Sequence, residues 1–222
     1  MSKTDDCVLV AGAIGRLFAA AGLPWPPPAR RSVVPVPLDR LIATYNLVHE
    51  EVAGLTRAAA AAYLARWGVH RSELLDNSSA LAGFLFANAS GGYILVNADD
   101  PLPRRRFTAA HELGHYLLHF LPRLQAEHDP ETYLVQDDSG ETVREEDKPA
   151  DDNALSLPQM ERQANRFAAE LLMPEAVCRT AGDLYAARFR TPQRFLEHHL
   201  ARDLLVSREA MRWRLRQLSI TN

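Results

Sequence analysis

The chain has 222 residues, of which 47% are hydrophobic and 24% charged, with a formal net charge of -3. Those figures suit a soluble globular chain of one domain with an appendage, and they carry no global signal for nucleic acid or membrane. Two distant cysteines, Cys7 and Cys178, have no CxxC or framework spacing, which excludes a disulfide scaffold and reads as a reduced, cytoplasmic protein.

Residues 5–22 read as an amphipathic helix. The apolar run Cys7–Gly15 could suggest an export signal, but Asp5 and Asp6 stand where such a signal needs positive charge, and Arg16 ends the run. No stretch approaches the roughly 18 apolar residues of a spanning helix. Six prolines between residues 24 and 37 forbid regular helix and predict an extended linker. Residues 38–68 look helical, in two pieces: Leu38, Leu41, Ile42 and Tyr45 share one face, and the alanines 58–62 continue to Gly68. A hairpin is then expected, with strands at Leu81–Ala87 and Tyr93–Asn97 around Ser90-Gly91-Gly92.

After a loop at Asp99–Pro103, Thr108 is expected to cap a helix from Ala109 to about Phe120, stopped by Pro122. Residues 126–153 are strongly acidic, with eleven Asp or Glu between Glu127 and Asp152. They read as a solvated insertion with an edge strand at Thr132–Gln136. A strong helix follows, started by Ser156 and Pro158, ended by Pro174 and striped with Met160, Ala164, Phe167, Ala168 and Leu171. Residues 181–222 read as further helices. Within them a helix, a tight turn capped by Ser207 and a second helix resemble a helix-turn-helix, with Arg212, Arg214 and Arg216 as the residues that would touch DNA. A helical pair that packs on the core is favoured over direct DNA contact.

The chemistry sits in His111-Glu112-Leu113-Gly114-His115. Histidines four apart on a helix lie on one face, one turn apart, with the span needed to grip one metal ion. Glu112 is rotated about 100° from His111, so it is placed as a general base rather than as a ligand. A third ligand is needed, with one position left for water. His119 would lie about 12 Å along the axis from His111 in a continuous helix, too far to share an ion. Glu161, early in the later helix, is the better candidate, and Ala164 and Ala168 would let the two helices approach closely. Glu145 and Glu146 in the acidic stretch compete less well, because a loose loop positions ligands poorly.

Two segments, Arg104–His119 and Glu161–Pro174, resemble the signature of the ImmA/IrrE metallopeptidases, and Leu81–Phe84 with Ile94–Asn97 match that family's hairpin. The resemblance covers roughly residues 38–218. It implies a mostly helical, zincin-like α+β domain with a small antiparallel sheet. It also implies Zn2+ held by His111, His115 and Glu161, with Glu112 as base. Members of that family typically cleave a helix-turn-helix repressor and so release stress or mobile-element genes. Three regions are therefore expected: an N-terminal helix and proline-rich linker at 1–37, a zinc peptidase domain at 38–180, and a helical region at 181–222. Two other readings stay open: a DNA- or partner-binding regulator with a structural metal site, and a toxin-like hydrolase with another substrate. A solvated insertion with no role of its own is favoured for the acidic stretch; the alternative is that its charge steers a basic, DNA-binding substrate.

Overall fold

The computed structural model describes residues 3–27, 33–69, 79–88, 90–127, 133–137, 155–189 and 193–220. The chain runs α1 (Lys3–Ala20), α2 (Leu38–Ala43), β1 (Leu47–Val52), α3 (Arg57–Ala65), β2 (Gly83–Asn88), β3 (Gly91–Asn97) and α4 (Leu102–His115). A π turn (Tyr116–Phe120) and α5 (Leu121–Glu127) continue α4, and β4 (Tyr133–Asp137), α6 (Leu157–Leu172), α7 (Glu175–Phe189), α8 (Gln193–Leu204) and α9 (Arg208–Gln217) complete it. Most of the acidic stretch, including Glu145 and Glu146, lies outside the described residues.

The four strands form one mixed sheet in the order β1-β3-β2-β4. The expected hairpin is there, with Gly83 paired to Val96 and Asn88 to Gly91. The expected edge strand is there too, one residue later than foreseen, with Phe84 opposite Asp137. The α+β class holds, but the sheet is not purely antiparallel, because β1 runs parallel to β3. That strand corrects the helical reading of residues 38–68. Asn46, at φ 56, turns the chain sharply after α2, in a backbone region that asparagine tolerates better than most residues. Pairing with β3 then overrides the local pattern.

The central strands are apolar on both faces, because both faces are covered. Leu85, Ala87, Ile94 and Val96 join the main core with α1, α4 and α6 residues. Phe84, Phe86 and Leu95 point the other way, onto Ala60, Ala61 and Leu64 of α3. The main core runs from Val10 and Leu17 of α1 to Met211 and Leu215 of α9. In the proline-rich segment, Trp25 packs tilted against Phe18 with ring centroids 4.6 Å apart.

The helix carrying the histidines begins at Leu102, six residues before the expected cap at Thr108, which instead lies buried in its interior. Pro103 sits in the first turn, where its missing N–H has no partner to lose. Pro122 does not end the helix either. The Leu121 N–H reaches back five residues to the Tyr116 carbonyl, so the chain has already left α register where the proline's missing donor would be felt. At α6, the Gln159 side chain accepts the Ser156 N–H at 2.9 Å, closing one half of a capping box. Among the described residues, no helix is long and apolar enough to cross a membrane.

Candidate metal centre

Helix α4 is held by its apolar face, where Ala109, Ala110 and Leu113 are fully buried. It packs against α6, whose Ala164, Phe167, Ala168 and Leu171 are equally buried. The packing is tight at Gly114. A β-carbon there would come within 3.0 Å of the Phe167 ring, so glycine lets α6 settle against the histidine-bearing face. The small residues Ala164 and Ala168, expected to permit this approach, are buried on α6, and Gly114 supplies a further small position on α4.

That packing gathers three side chains. His111 Nε2 and His115 Nε2 are 3.0 Å apart. Glu161 Oε2 is 3.3 Å from the first and Oε1 is 3.2 Å from the second. Among the described residues these three form one cluster in which one ligand atom from each lies within 4.8 Å of the other two. A tetrahedral zinc bound at about 2.0–2.1 Å has ligand-to-ligand edges of about 3.3 Å, close to the three distances found. His119 is not part of this cluster, as its distance along the helix predicted.

The outer nitrogens show how the inner ones are presented. His111 Nδ1 is 3.2 Å from the Asn165 side-chain oxygen. An amide oxygen only accepts, so this nitrogen carries the proton and Nε2 keeps a lone pair. His115 Nδ1 is 3.2 Å from Nδ1 of His119, whose Nε2 is 3.1 Å from the Gln163 side-chain oxygen. The Gln163 amide in turn donates to Asp6 Oδ1 at 2.7 Å. Burial, then the neighbouring His115, pushes the His119 imidazole down to about 4, so it is neutral at pH 7. Burial lowers His115 as well. Glu161 is held well below the usual carboxylate range by its contacts to His111 and His115. Two imidazole lone pairs and one carboxylate thus converge, and only a proton or a cation between them reconciles the three. The donor set is that of a divalent ion with mixed nitrogen and oxygen ligands.

Glu112 is almost fully buried, at 1% exposure. It faces β2: a β-carbon on Gly83 would fall 2.7 Å from its Oε1 and 2.4 Å from Thr108 Cγ2. Glycine at 83 therefore leaves the space in which this carboxylate lies. An open groove of about 1170 Å³ borders Glu161 and is walled by Asp6, Phe107, Arg162, Trp213 and Arg216 among others. Trp213 is 57% exposed on the α9 side of it.

The tail arginines divide sharply. Arg214, 5% exposed, donates from Nε to the Met173 carbonyl and from Nη2 to Glu170; it anchors α9 to the end of α6 and is not presented to a partner. Arg212 pairs with Glu197 at 2.8 Å. Sequence reading missed Asn165, Gln163 and Asp6, whose importance is visible only once α1, α4 and α6 meet. The available signal was small: Asn165 is one turn beyond Glu161 on the same helix.

Residues 66–216 match the family model of peptidase M78, described as the IrrE N-terminal-like domain. No curated protein matches the chain. The match takes in both histidines, both site glutamates and the whole α4–α6 pair.

Proposed function

Since the chain belongs to the peptidase M78 family by a match over more than half its length, we propose that it is a zinc-dependent endopeptidase working in the cytoplasm. The convergence of His111, His115 and Glu161 beside Glu112 is the observation that carries this reading. In it, His111, His115 and Glu161 hold Zn2+ and leave a position open. When bound there, zinc supplies a Lewis acid that polarises a peptide carbonyl and acidifies a water. Glu112 takes the proton from the attacking water and passes it to the departing amine. A carboxylate has no such task in a structural site, which is normally closed by four protein ligands rich in cysteine. Here Cys178 is buried, with its thiol pushed up to about 12 by burial, and Cys7 is exposed; neither belongs to the cluster.

The substrate is a protein, entering along the groove beside Glu161. We extend this to a basic helix-turn-helix repressor, whose cleavage would relieve repression of stress or mobile-element genes; the family resemblance supports that step. The burial of Arg214 favours this reading over one in which the tail grips DNA.

The test pairs metal analysis with cleavage of candidate helix-turn-helix repressors, any encoded beside this chain's gene first, comparing the native protein with Glu112→Gln. The variant is expected to bind one zinc and to lose cleavage by about 10²–10⁴-fold. A variant that cuts at the native rate removes Glu112 from the mechanism.

A further inference from the structure

Beyond the cluster itself, a line of buried polar contacts runs away from His115 and ends on another part of the chain. Its members are His119, Gln163 and Asp6, on the π turn, α6 and α1. Gln163 is 1% and Asp6 3% exposed. The directions of these bonds follow from one fixed end. A carboxylate can only accept, so Asp6 draws the NH2 of Gln163 towards itself. The Gln163 oxygen must then face His119, and an amide oxygen also only accepts, so His119 carries its proton on Nε2. A neutral imidazole protonated at Nε2 has a lone pair at Nδ1. That lone pair takes the Nδ1–H of His115, which leaves His115 Nε2 bare and aimed at His111 and Glu161.

We propose that Asp6, Gln163 and His119 are positioning residues that set the tautomer of His115, and that the N-terminal helix is thereby part of the metal site. The proposal rests on the metallopeptidase reading, since it assigns these residues a task only if His115 is a ligand. Without Asp6, nothing in the line fixes the Gln163 amide. Turned over, it would present NH2 to His119, force the His119 proton to Nδ1 and leave His115 to carry its own on Nε2, the wrong face for a ligand. Such outer partners of metal-binding histidines typically change metal affinity by about 10–100-fold when removed. Asp6 also meets Arg162 Nε at 3.5 Å, so loss of charge must be separated from loss of the acceptor.

The experiment uses the full chain and three variants, Asp6→Ala, Asp6→Asn and Gln163→Met. Zinc affinity is measured by competition with a chromophoric chelator. The protonated nitrogen of each histidine is read from long-range proton–nitrogen spectra of ¹⁵N-histidine-labelled protein, with and without zinc. In the native chain His119 is expected as the Nε2–H form in both states, and zinc-loaded His115 as the Nδ1–H form. Asp6→Ala and Gln163→Met should weaken zinc about 10–100-fold and mix the His119 tautomers. Asp6→Asn can offer Gln163 either its oxygen or its NH2 and so no longer fixes the direction; it should fall between the native chain and Asp6→Ala in both readouts. The proposal is overturned if Asp6→Ala and Gln163→Met bind zinc as the native chain does. It is equally overturned if Asp6→Ala weakens zinc while His119 stays in its native Nε2–H form, which would make charge, not hydrogen-bond direction, the operative property. A chain that binds zinc and shows these tautomers but cleaves nothing sinks the peptidase reading alone. A chain that cleaves but is indifferent to Asp6 and Gln163 sinks this proposal alone.

Discussion

Two places in the molecule tie helices together through polar side chains, and they do so under opposite conditions. At the junction of α1, α4 and α6, the line from His115 to Asp6 is nearly closed to solvent. At the α8–α9 turn, Glu197 meets Arg208 and Arg212 at 2.8 Å, with those arginines 58% and 48% exposed. The junction's contacts, at 2.7–3.2 Å, are on the whole no shorter than the tail's. What differs is the surroundings, and burial decides which set matters. An unmade bond in the junction leaves a polar atom with no water to turn to. An unmade bond in the tail is replaced by solvent, and salt screens what remains.

Four changes sharpen or break that contrast, from the largest effect down. Glu161→Ala removes a ligand from the junction and is expected to abolish most zinc binding, measured by metal content after dialysis against a weak chelator; full retention would send the search for the third ligand to the acidic stretch. Arg214→Ala, which leaves Glu170 and the Met173 carbonyl without their buried donor, should cost about 3 kcal/mol or more in denaturant unfolding. That result would show the tail to be anchored by the buried Arg214. Gly114→Ala pushes a methyl at the Phe167 ring and should cost about 1–3 kcal/mol, with weaker zinc binding because α6 carries Glu161; a variant of native stability would mean that the helices have slack. Glu197→Gln should barely move the unfolding midpoint at neutral pH.

The last change also has a pH signature. The Arg212 and Arg208 guanidiniums hold Glu197 at about 2, below its ordinary 4.5. A depressed carboxyl stabilises the fold above its unfolded value and ceases to as pH falls through its folded value. The small difference between native chain and Glu197→Gln should therefore be fully present above pH 4.5 and shrink as pH falls to about 2. A difference that stays constant over that window would assign it to packing.

A separate change tests the base rather than the junction. Gly83→Ala places a methyl where the Glu112 carboxylate lies. It should lower cleavage while leaving zinc uptake unchanged, which separates displacement of the base from loss of the ligands.

Much of the site was legible because its signals are local. His111 and His115 are one turn apart, Glu161 follows a capped helix start, and α6 has a continuous apolar stripe. What was not legible depends on partners distant in the chain. Leu47-Val48-His49-Glu50-Glu51-Val52 has only one fully buried residue, so it carries no strand pattern of its own and becomes β1 by pairing with β3. Pro101 and Pro103 read as a loop, although a proline fits a first helical turn. The π turn has no sequence mark beyond Pro122. His119 lies outside the His111–His115–Glu161 cluster, and its contact to Gln163 needed α6 in place to be seen.

The bond between Asp6 and Gln163 joins residues 157 positions apart, and this bears on how the site matures. During synthesis α1 leaves the ribosome well before α6 exists, so its carboxylate must wait for its partner while the hairpin and α4 are made. The entropic toll of closing such a loop rises only with the logarithm of its length, so the delay affects timing far more than final stability. Contacts of this span form late in folding. On the positioning role proposed for Asp6, a newly finished chain reaches its full metal affinity only when its beginning has folded back onto its later half.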